Sequence, residues 1–62
     1  MEEPAIEILA ETENFNVWRA EEPDGETTYH LELGPVTVNL FREEWEEFVR
    51  LIEQAAEHAA AG

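Results

Sequence analysis

The segment Glu22-Pro23-Asp24-Gly25-Glu26 constrains this chain more than any other. Proline presets the first turn angle and glycine takes the left-handed position, so the segment reads as a three-residue hairpin loop. Pairing Glu22 with Glu26 sets Arg19 opposite Tyr29, Val17 opposite Leu31 and Phe15 opposite Leu33. Gly34-Pro35 reads as a two-residue turn and sets Leu33 opposite Val36, Leu31 opposite Val38 and Tyr29 opposite Leu40. The Glu11-Thr12-Glu13-Asn14 loop is a weaker signal. It sets Ala10 opposite Phe15 and Ile8 opposite Val17. These turns place one set of side chains on a common face: Ile6, Ile8, Phe15, Val17, Tyr29, Leu31, Leu33, Val36, Val38 and Leu40. A slip of one residue at any turn destroys that agreement.

From residue 42 the period changes from two to 3.6. Phe41, Trp45, Phe48, Val49, Ile52, Ala55, Ala56 and Ala59 fall in one stripe of a helix. Glu43 and Glu44 suit the positive end of its dipole. Phe41 stands where a Ser or Thr cap is usual. The fold class is therefore α+β: a four-stranded antiparallel β-meander followed by one C-terminal α-helix packed on one face, ββββα. The strands are expected at about residues 5–10, 15–21, 27–33 and 36–40 and the helix at about 42–60, in a single domain over 1–62. A sheet buries one side against another layer, so the helix is expected to cover the inner face.

Charge decides which functions are open. Sixteen acidic residues, of which Asp24 is the only aspartate, face three arginines and no lysine, and the net charge is -13. Binding nucleic acid or anionic lipid requires Lys and Arg to neutralise phosphate, so both partners are disfavoured at low salt. The acidity fits first a solvated surface adapted to high salt, and second a surface built for a basic partner. Hydrophobic content of 44% is too high for a disordered acidic tail. No apolar run approaches 18 residues and no basic segment precedes one, so a cytoplasmic chain with no membrane span is expected.

Chemistry-bearing constellations are missing. The chain has no cysteine and no serine, which removes disulfides, thiolate metal sites and serine nucleophiles. His30 and His58 lack the helical spacing of a zinc pair. Glu43, Glu44, Glu46 and Glu47 offer a cation two or three oxygens from one helix face, where hard cations want six to eight. No residues fill nucleophile, base and oxyanion roles together. We therefore expect no enzyme, no metal, no cofactor and no small-molecule substrate.

Trp18 is the sharpest surface signal. The hairpin register puts it on the outer face, opposite His30 and near Asn39 and Glu7, with Leu9 diagonal to it. Tryptophan is enriched at interface hot spots. Leu51 also falls about 100° off the helix stripe. Leu9, Trp18, His30, Asn39 and Leu51 form the candidate interaction surface.

Val38-Asn39-Leu40 leading into Arg42-Glu43-Glu44-Trp45 and Phe48 resembles the positive-cofactor-four (Whirly-like) coactivator domain. The resemblance covers residues 36–52. It implies four strands and a helix, a dimer, and binding of single-stranded DNA through basic and aromatic residues. The basic residues are absent here: only Arg19 lies on the strands.

The leading expectation is a small acidic, non-enzymatic protein–protein interaction domain that self-associates through the outer sheet face. Its partner is a second copy in a homodimer, or a basic protein steered by rim glutamates. The alternatives are a diverged single-stranded nucleic-acid-binding domain and an acidic mimic of DNA that occupies a basic protein.

Overall fold

The computed structural model describes residues 5–61. Four strands are followed by one helix: β1 (Ala5–Glu11), β2 (Phe15–Glu21), β3 (Thr27–Leu33), β4 (Val36–Phe41) and α1 (Arg42–Ala61). The strands form one antiparallel sheet in the order β1-β2-β3-β4. This is the expected ββββα meander. The expected span of 1–62 includes residues 1–4 and 62, which lie outside the described residues.

The two glycine turns set the pairing as the sequence implies. Gly25 has φ 92° and Gly34 φ 68°. Glu22 and Glu26 close the first loop, with Glu22 N–H donating to the Glu26 carbonyl at 2.8 Å. Asp24 Oδ1 accepts from Glu26 N–H at 3.0 Å. Arg19, Val17 and Phe15 oppose Tyr29, Leu31 and Leu33. Those three oppose Leu40, Val38 and Val36.

The first hairpin differs. Thr12, not Ala10, closes it opposite Phe15: Thr12 N–H donates to the Phe15 carbonyl at 2.7 Å, and Thr12 Oγ1 accepts from Phe15 N–H at 3.0 Å. Ala10 therefore opposes Val17 instead of Phe15. A shift of two residues keeps the same face. The register then slips between Ile8 and Ala10, with Leu9 as the extra residue, and Ile8 opposes Trp18. That bulge turns the start of β1 over. Ile6 and Ile8, expected inside, share the outer face with Ala20 and Trp18. Glu7, expected beside Trp18, opposes Arg19 on the inner face and forms an ion pair with it. No residue of the Thr12–Phe15 loop has a positive φ, so it is not one of the primed turns whose twist matches the strands. The bulge supplies the added local twist.

The helix start is better held than its sequence suggests. Glu44 Oε1 accepts from Phe41 N–H at 3.0 Å, which is half of a capping box. Phe41 itself ends β4 opposite Thr28, on the outer face, and does not join the helix stripe.

The expected cover of the inner face is only partly realised. The helix packs against β3 and β4. Trp45, Phe48 and Val49 are half-buried, and every position from Arg50 to Ala60 is exposed. The buried apolar side chains are Ala20, Tyr29 and Leu31. Trp45 stacks on Tyr29 with ring centroids 4.7 Å apart and planes 1° apart. The molecule measures 51 × 26 × 17 Å. A seven-residue strand spans about 23 Å and a 20-residue helix about 30 Å. The long dimension is reached because the helix runs out past the sheet.

Candidate protein-contact surface

Two separate apolar surfaces remain open, one on each side of the sheet. The outer one surrounds Trp18. Cross-strand pairing aligns Ile8, Trp18, His30 and Asn39 in one row, and Ile6, Ala20, Thr28 and Phe41 in the next. The Trp18 ring stacks on the His30 ring with centroids 4.0 Å apart and an interplanar angle of 16°. Its Nε1–H donates to Glu32 Oε1 at 3.1 Å. His30 is held at both nitrogens. The network assigns the proton to Nδ1, which donates to Asn39 Oδ1, while the Thr28 hydroxyl donates to Nε2 at 2.9 Å.

This arrangement has consequences for chemistry. In that tautomer His30 has no free lone pair to offer a metal, because the imidazole acceptor already takes the Thr28 proton. Among the described residues, no group of three or more His, Asp or Glu side chains converges as a metal site. The Glu7–Arg19 pair holds the Arg19 guanidinium further above its already high range, and Tyr29 acts in the same direction. It fixes a charge pair on the sheet surface.

The structure brings Trp18, His30 and Asn39 together as the hairpin implies. Leu9 reaches the same region as the bulge residue opposite the Trp18 position, and is itself exposed. Leu51 does not join them. It stands on the helix, across the sheet from Trp18, in a shallow depression with Glu44, Glu47, Phe48, Arg50 and Gln54.

The inner surface escaped sequence reasoning. Phe15, Leu33 and Val36 form a cross-strand row at the end of the sheet remote from the helix root. Phe15 is 52% exposed and Val36 53%. The outgoing half of α1 presents Ile52, 48% exposed, followed by Ala55, Ala56 and Ala59 on the same stripe. Isolated exposed apolar residues are ordinary. Two contiguous uncovered surfaces on so small a chain are not, and such surfaces mark sites of association. Periodicity gave the stripe over 45–59 but not the direction in which the helix leaves the sheet, and positions 50–60 end up exposed.

Among the described residues, no helix is long and apolar enough to cross a membrane. No family model, curated protein or solved structure matches this chain.

Proposed function

We propose that this chain is a small, acidic, non-enzymatic domain that works by protein–protein contact, self-association included. One observation carries the reading: large apolar side chains that a folded chain would normally bury are left open in contiguous groups, led by the Phe15, Leu33 and Val36 row and the free half of α1. Burying such area against a partner is favourable by about 25 cal/mol per Å². With a net charge of -13 the chain rejects anionic partners.

A second reading places the contact on the outer face, as the sequence suggests. Ile6 and Ile8, both exposed, widen the patch around Trp18 and favour it. Trp18 has already spent part of its contact area on His30 and its indole N–H on Glu32, which favours the inner surface. The test is sedimentation velocity over a range of concentration, with binding of a hydrophobic dye measured in parallel. A chain that stays monomeric throughout and binds no dye has no working contact surface, and the proposal fails.

A further inference from the structure

The inner surface has a specific complement, and we infer that it is a second copy of this chain, bound reciprocally about a two-fold axis. The free half of each α1 lies across the Phe15, Leu33 and Val36 row of the other copy. The inference rests on the protein-contact reading above and names the partner of that surface.

The argument starts from area. The chain exposes 5156 Å², whereas a compact monomer of 7.1 kDa exposes about 4,100 Å². The excess is about 1,000 Å², and a standard stable interface takes about 800 Å² from each partner. The radius of gyration agrees: 13.6 Å against about 10.6 Å for a compact chain of this length. The shape is that of one half of a larger compact body.

Complementarity identifies the other half. A two-layer fold sets a helix stripe on a sheet face. Here a piece of each is left over. The free helix from Arg50 to Ala60 is about 16 Å long. The open row crosses β2, β3 and β4, with about 10 Å between its outer strands. The helix of the same chain does not cover that row: it is anchored at its root by Trp45 on Tyr29, and its positions from Arg50 to Ala60 are exposed. A second copy offers a helix to the open sheet and a sheet to the open helix in one symmetric step, which is what an isologous interface requires. A partner that supplies one element leaves the other surface open.

Local charge permits it once salt screens the repulsion between two chains of -13. The row of Phe15, Leu33 and Val36 carries no ionisable side chain. At 100° per residue, Phe48, Ile52, Ala55, Ala56 and Ala59 form a stripe free of acid, and Glu46, Glu53 and Glu57 gather on one flank. A basic partner finds nothing to pair with on this stripe. The alanines let a sheet approach closely.

The test uses sedimentation equilibrium on the whole chain in molar NaCl, with circular dichroism to confirm folding. Wild type is expected at twice 7.1 kDa. Val36→Lys and Ile52→Glu alter exposed positions, and each should weaken the dimer tenfold or more. Mixed in equal amounts they should recover it, because one of the two contacts then joins lysine to glutamate and the other is wild type. If either variant fails to fold, Val36→Cys and Ile52→Cys take their place; the chain has no cysteine of its own, and the mixture should cross-link as a heterodimer. A dimer indifferent to these substitutions, or a mixture that neither recovers nor cross-links, overturns the reciprocal arrangement. If Ile8→Glu alone dissociates it, the contact reading survives on the outer face. A monomeric wild type that binds no hydrophobic dye overturns both.

Discussion

Replacing Trp45 with alanine removes the anchor that holds helix to sheet, and the structure fixes the size of the effect. A fully buried aromatic covers 150–250 Å² on the general scale, and the half-buried Trp45 covers about 100 Å². At about 25 cal/mol per Å² that area is worth about 2.5 kcal/mol. The parallel stack on Tyr29 at 4.7 Å and the tilted contact with Phe48 at 6.4 Å add about 1 kcal/mol. The sum, about 3.5 kcal/mol, lies within the usual range of about 3–5 for Trp→Ala. A chain of 62 residues has a total stability of about 3–9 kcal/mol. Trp45→Ala thus removes a large share of it and lowers the melting midpoint by about 15–25 °C.

The assay is thermal unfolding followed by far-UV circular dichroism at several protein concentrations. Concentration matters, because association raises the midpoint by mass action and Trp45 sits at the root of the helix that we propose engages the partner. Helical signal should fall most, since α1 is tied to the sheet near its root alone, by Trp45, Phe48, Val49 and the hydrogen bond that Arg42 donates to Thr27 Oγ1, and an isolated helix of this length is marginal. An unchanged midpoint would refute the reasoning: it would mean that the Trp45–Tyr29 stack does not anchor the helix.

Other outcomes are more direct. Raising NaCl from dilute buffer to about 1 M shortens the Debye length to about 3 Å, so the melting midpoint of this -13 chain should rise; a flat or falling midpoint would show that self-repulsion is not a liability. Fluorescence polarisation at 0.15 M salt should show no binding to single- or double-stranded DNA, since three arginines release too few counterions, and micromolar binding would restore the coactivator-like reading. Trp18→Glu should leave the fold intact, losing about 1 kcal/mol with the His30 stack, and a collapse of amide dispersion would put Trp18 in the core. Gly25→Ala should destabilise by about 1–2 kcal/mol through its φ of 92° alone, as no atom lies within 4 Å of the added Cβ; a neutral result in chemical denaturation would mean that the loop relaxes.

Sequence reasoning succeeded where one residue dictates backbone geometry. Gly25 and Gly34 need positive φ, and that need locked β2, β3 and β4 in register. It placed Trp18, His30 and Asn39 in one row. It failed at Leu9, because a bulge inserts one residue without a composition signal and reverses the strand beyond it. Ile6, Glu7 and Ile8 changed faces for that reason, although the alternation of β1 reads equally well either way. The helix was legible from its stripe, but its position was not. Periodicity says which side of a helix seeks cover and nothing about which surface supplies it.

The failures at Leu9 and at the end of the helix point the same way. Had Ile6 and Ile8 faced inward, the inner face would have reached β1 and called for a helix lying squarely across four strands. With the bulge, Glu7 and Arg19 stand on the inner face at that corner, and the apolar part of the face narrows to the rows through Val17 and Phe15. Leu31 fills the first row and is buried; the second row stays open. The outer half of the helix stripe is then left uncovered by its own sheet. A monomer gains nothing from Ile52, Ala55, Ala56 and Ala59 in register with Trp45, because no part of the same sheet lies under them. Ile52 keeps the apolar period where exposure would favour a polar residue, while the alanines also serve helix propensity. The periodicity beyond Arg50 fits the partner that we propose.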